Sequence, residues 1–189
     1  MPSGGFYTRM KQGFNAVPNI GPMIAASSRI GLANAQRMLK DVTPEQFARF
    51  AKCGDTVIES NHPAFVFGHL SLYASEVIKA LGGDASAYQP SDEFVKVFSK
   101  SAKCVDDPEG NIYPPMDEIL NAFNTGYEAA LAALETADDA VLLEANPNEA
   151  MRERLPTSGA MLNFYVGGHI TLHVGQISAW RRAFGLGPA

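Results

Sequence analysis

Between Tyr165 and Trp180 the chain sets His169 and His173 four residues apart in an apolar run. Four residues is just over one helical turn, so both side chains leave the same face of a helix. Gln176 stands seven residues beyond His169 and continues that face, and Tyr165 and Trp180 extend it in both directions. A stripe of this kind must be enclosed by facing helices, so the stretch constrains the whole chain towards helix-on-helix packing. Two imidazoles on one face can hold one divalent metal from the same side. Core histidines bonded to a carbonyl or a neighbour are the competing reading of the bare spacing. Ile170 occupies the place where a zinc-protease helix carries its Glu, so that mechanism lacks its base and a third ligand must come from elsewhere.

The rest of the chain supplies the facing helices. Apolar residues at helical spacing run from about Gly21 to Lys40, from Pro63 to Leu81, from Pro115 to Thr136, and from Thr157 to about Phe184. Thr43-Pro44 and Asn61-His62-Pro63 read as helix starts, with a capping residue followed by Pro in the first turn. Thr157-Ser158-Gly159 caps the last helix, and Gly82-Gly83 and Gly185 mark helix ends. Short helices are expected from Pro44 to about Lys52 and from Asp92 to about Lys100. Residues 105–115 read as a loop, and the acidic stretch 138–153 as a second connection that could form a lid. No strand-like alternation with hairpin turns appears. The expectation is an all-α protein, a four-helix bundle with short extra helices, in one domain over 1–189. The bundle covers about 20–186. Residues 1–18 form an irregular arm in which Phe6, Tyr7 and Phe14 tuck against the bundle or a partner subunit.

Composition narrows the function. The 189 residues suit one domain with a full core, and 46% apolar against 19% charged residues argues against disorder. A net charge of −5 argues against a nucleic-acid groove, which needs clustered Lys and Arg. The pairs Arg152/Arg154 and Arg181/Arg182 read as solvated faces or helix C-terminal charge. The two cysteines, Cys53 and Cys104, have no metal-like spacing and read as reduced thiols. Neither a signal peptide nor an apolar run of membrane-spanning length is present, so the expected setting is cytoplasmic, without nucleic-acid or membrane partners.

Two histidines remain, His62 and His69. His69 lies two turns into the second long helix, beside Gly68, where a neighbour can approach closely; it is taken as the third ligand. His62, at the helix mouth, reads as a cap or an exposed residue. With these assignments, Pro63-Ala-Phe-Val-Phe-Gly68-His69-Leu and the downstream Gly168-His169-x-x-x-His173-x-Gly175-Gln176-Ile-x-x-x-Arg181-Arg182-x-x-Gly185 resemble the DinB/YfiT-like superfamily. The resemblance covers about residues 20–186. It implies a mirror variant of the up-and-down bundle, a divalent metal held by His69, His169 and His173, and a possible homodimer. Activities in that family include S-transferases of the bacillithiol or mycothiol class and a mycothiol-dependent isomerase.

Three imidazoles with an open position form a catalytic type of metal site. Zinc or nickel fits first, and iron or manganese also bind imidazole. The leading expectation is a metal-dependent transferase that joins a low-molecular-weight thiol to a small electrophile. A hydrolase with Glu76 as general base is the second enzymatic reading, although a surface salt bridge is the common fate of a helical Glu. A metal-stabilised stress-response or binding bundle without catalysis is the third. Gln176 is a candidate for orienting water or substrate, or else a polar partner within the bundle, and Tyr73 can face the same cavity.

Overall fold

In the computed structural model, which describes residues 19–189, helices begin where cap residues and prolines set them. The proposed roles of Phe6, Tyr7 and Phe14 lie outside the described residues. Helix α1 spans Ile20–Arg37, α2 Pro44–Phe47, α3 Pro63–Ala80, α4 Asp92–Phe98 and α5 Met116–Glu135. After these come α6, Asp139–Leu143, α7, Ser158–Asn163, and α8, His169–Ala183. The side chains of Ser91 and Thr157 accept the N–H of Phe94 and Ala160, which caps α4 and α7. Thr43 and Gln46 form a reciprocal capping box on α2. The chain is mostly helical, as expected for an all-α protein.

Packing follows the apolar faces. α3 lies along α5, where Gly126 approaches Ala74, and Tyr127 donates its O–H to Leu70 O at 3.1 Å. α1 packs on α5 and on α8, and α8 also packs on α3. Phe67, Phe123, Tyr127, Leu131, Ile170 and Ile177 fill the shared interior. No helix among the described residues is long and apolar enough to cross a membrane.

Four features depart from the expected pattern. The first short helix stops at Phe47 instead of continuing to Lys52, and a small antiparallel hairpin follows, β1 Ala51–Cys53 and β2 Thr56–Ile58. Its two-residue turn places Gly54 at φ 58°, a left-handed conformation that costs glycine nothing. The acidic 138–153 connection carries α6. There Asp139 reaches across to accept the N–H of Asn19 and Ile20, so it serves the start of α1. The last long helix is interrupted: Phe164–Gly168 form a π-helical turn between α7 and α8. Finally, Arg181 is buried rather than solvated, at 1% exposure. Its Nη1 donates to the carbonyls of Met38 and Lys40 at the C-terminal end of α1.

Candidate metal centre

His69, His169 and His173 converge in the interior. Each is buried, and one ring nitrogen of each lies within 4.8 Å of one from every other. Helix α3 brings His69, and the first two turns of α8 bring His169 and His173. The π-helical turn ends on Gly168, immediately before His169, so it sets the rotation at which α8 presents the pair. The hydroxyl of Tyr127 also lies 3.5 Å from the carbonyl of Tyr165 inside that turn, and ties it to α5.

Hydrogen bonds fix which nitrogen of each ring is available. His69 Nδ1 lies 2.8 Å from the carbonyl of Phe98, which can only accept, so Nδ1 carries the proton and Nε2 is bare. Gly68 makes this possible. A Cβ there would come within 2.4 Å of the Phe98 ring, so glycine alone lets α4 close over α3 at this point. His173 Nδ1 lies 2.8 Å from Gln176 Oε1, which leaves its Nε2 bare as well. That Nε2 stands 3.1 Å from Nε2 of His169. The remaining nitrogen, His169 Nδ1, is buried without a partner among the described residues.

The electrostatics keep the rings neutral. Burial lowers all three pKa values. For His169, the neighbouring His173 and His69 add to the effect and bring it down to about 3. Neutral imidazoles are the form that ligates a metal. The donor set therefore fits a divalent cation: three neutral imidazoles each bring one ring nitrogen within 4.8 Å of the others.

Aromatic rings surround the trio. Tyr73 meets His169 edge-on with centroids 4.6 Å apart and His69 at 5.3 Å; Phe164 stacks on His169 at 5.4 Å and Phe65 on His69 at 6.2 Å. Tyr165 lies 5.0 Å from Tyr73. Burial raises the pKa of both phenols, so both stay protonated at neutral pH. A cleft of about 700 Å³ lies elsewhere, between α2 and the start of α5, with Phe47, Tyr113 and Leu120 in its wall; none of the three histidines lines it.

The other candidate residues fall in different places. Glu76 is exposed on α3, with its carboxylate 3.0 Å from Lys79 Nζ. Gln176 sits beside His173 and bonds its outer nitrogen. His62 is fully buried and caps α3: its Nδ1 accepts the N–H of Phe65 at 3.2 Å, and its Nε2 donates to Val105 O at 2.8 Å. Trp180 is a packing residue whose indole N–H donates to Arg49 O at 2.8 Å. Cys53 and Cys104 are both free thiols. Asn61, which donates to Gln176 at 3.2 Å, was not evident as a site residue, because beside a helix start it reads only as a cap.

No protein-family model matches the chain. Comparison with curated proteins and with solved structures likewise gives no match.

Proposed function

We propose that this chain is a divalent-metal-binding four-helix bundle of the DinB/YfiT-like type, and that it catalyses transfer of a low-molecular-weight thiol to a small electrophile. The observation that carries the reading is the convergence of three buried, neutral imidazoles, two of them already anchored through Nδ1. The pairing of α3 with α5 and of α8 with α1 and α3 supports the bundle. Zinc or nickel is the first expectation for the cation, with iron or manganese also compatible with imidazole nitrogen.

A bound divalent cation supplies Lewis acidity, which lowers the pKa of a sulfur or oxygen ligand towards neutrality. The chain does the rest. His69 and His173 hold their donor atoms fixed through Phe98 and Gln176. Phe65, Phe164, Tyr73 and Tyr165 keep bulk water from the rings and strengthen electrostatic interactions there. The protonated phenol of Tyr73 is a donor suited to an oxygen that gains charge on the electrophile, whereas that of Tyr165 donates to Met151 Sδ at 3.7 Å. Thiol transfer is favoured over hydrolysis because Glu76, the candidate general base, is exposed and paired with Lys79.

The test is elemental analysis of the purified protein, joined to thiol-conjugation assays with bacillithiol or mycothiol and a chromogenic electrophile. The expected result is near-stoichiometric metal and conjugation that disappear together in His169→Ala and His173→Ala. Conjugation unchanged in both variants overturns the proposal. Thiol-independent turnover of an ester panel would point to hydrolysis. Metal that raises the melting temperature without turnover would point to a non-catalytic bundle.

A further inference from the structure

Two of the three candidate ligands have their outer nitrogen held, but by partners of different kinds. His69 bonds a backbone carbonyl, that of Phe98, which offers only an acceptor. His173 bonds the side chain of Gln176, and an amide has two faces. With Oε1 towards the ring, Nδ1 must carry the proton, and Nε2 keeps its lone pair. With the NH2 group towards the ring, Nδ1 becomes the acceptor. Nε2 would then carry a proton aimed at His169, only 3.1 Å away, and could not ligate. The orientation of one rotatable amide thus decides whether His173 can bind a cation.

Something must hold that amide. Asn61, the residue before the cap of α3 and 115 positions away in sequence, donates its Nδ2 hydrogen to the same Oε1 at 3.2 Å. The oxygen then receives two donors, one from each of the helical segments that bring the ligands. Both side chains are half-buried, where a lost hydrogen bond is only partly replaced by water.

We propose that Asn61 and Gln176 are positioning residues that hold His173 in the tautomer able to ligate a metal, with Asn61 acting through Gln176. The assignment rests on the metal reading above and deepens it. It also replaces the idea that Gln176 orients water or substrate.

The experiment uses the full chain and two readouts. The first is zinc affinity by competition with a chromophoric chelator. The second is the tautomer of His173 in the metal-free protein, from its ring 15N shifts. Gln176→Leu should weaken zinc binding on the order of 10–100-fold, the usual cost of losing an outer partner. Gln176→Glu should retain binding, because both carboxylate oxygens accept. Asn61→Ala should weaken zinc binding several-fold in the parent and shift His173 towards the Nε2–H tautomer. In the Gln176→Glu background the same change should leave affinity within about two-fold, since a carboxylate has no wrong way round. Equal losses from Asn61→Ala in both backgrounds would mean a general structural role and would overturn the proposal. If Asn61→Ala fails to fold, Asn61→Asp serves instead. Its carboxylate draws the Gln176 NH2 into the place of Oε1 and should also favour Nε2–H. Should the parent bind no zinc, the metal reading falls, while the 15N shifts still decide the relay: an Nδ1–H His173 unmoved by the Asn61 change refutes it.

Discussion

His62 offers a sharp test of the packing beneath the site. Its ring is fully buried between Phe50 and Tyr113. Burial, only partly opposed by the Val105 carbonyl and the charge of Asp106, brings its pKa from 6.5 to about 4. Protonation must also place a hydrogen on Nδ1, which faces the N–H of Phe65, so the charged ring loses its cap bond. Above pH 6.5 His62 is neutral in the folded and the unfolded chain, and its stabilising contribution is complete. Below that, the unfolded chain takes up the proton first, and stability falls until the folded pKa near 4 is passed. At about 1.36 kcal/mol per unit, the interval between 6.5 and about 4 amounts to about 3 kcal/mol. The assay is urea unfolding at pH 7 and pH 4.5 of wild type and His62→Asn, both with chelator present. Asn keeps the cap but does not titrate. The three candidate ligands, also depressed, contribute to acid loss in both proteins and cancel in the difference. The advantage of wild type over His62→Asn should shrink by about 2–3 kcal/mol on going to pH 4.5. An advantage that is the same at both pH values would show that His62 does not titrate as its burial requires.

Gly68→Ala would force the buried Phe98 ring from its place, at a cost of about 1–3 kcal/mol, and should loosen the Phe98 carbonyl from His69. Urea midpoints and zinc competition should fall together; loss of stability with unchanged zinc affinity would separate the contact from the site. Arg181→Met removes a guanidinium that bonds two carbonyls at the end of α1, which should cost about 3 kcal/mol. For a chain of this size that is roughly a 6–12 °C fall in melting temperature, and an unchanged melt refutes the role.

What could be read from the sequence was whatever local chemistry declares. Pro63 after His62, Ser91 before Asp92 and Thr157 before Ser158 set helix starts by bonds within three residues, and those starts stand. The three candidate ligands were also visible, because histidine is rare and two of them sit at helical spacing. Their partners were not. Phe98 and Val105 act through backbone carbonyls, which every residue has, so the side chain gives no sign of the role. The hairpin at 51–58 has strands of three residues, too short to show alternation, and its turn signal is just Gly54-Asp55. The π-helical turn has the same apolar content as an α-helix. Among the described residues, the one side-chain bond to its backbone from outside the helix, that of the Tyr127 hydroxyl to the Tyr165 carbonyl, comes from a distant helix. Arg181 was read correctly as charge at a helix end, but of the wrong helix: it serves α1, not its own.

The trio is an expensive way to fill a core, and that cost bears on its purpose. Three imidazoles are buried where leucine would gain apolar burial without any polar group to satisfy. His169 Nδ1 has no partner among the described residues, a cost of about 1–3 kcal/mol by itself. Its Nε2 faces another ring nitrogen at 3.1 Å, so in the absence of a cation one of the two must carry a proton between them. The anchored Nδ1 of His69 and of His173 assigns that proton to His169. Two rings are then preset for ligation, and the third must transfer its proton from Nε2 to Nδ1 before it can join them. A core histidine kept for packing would be expected to use both nitrogens in bonds, as His62 does with Phe65 and Val105. The contrast between His62 and His169, within one small interior, is one of bonding: His62 uses both ring nitrogens, while His169 Nδ1 has no partner among the described residues.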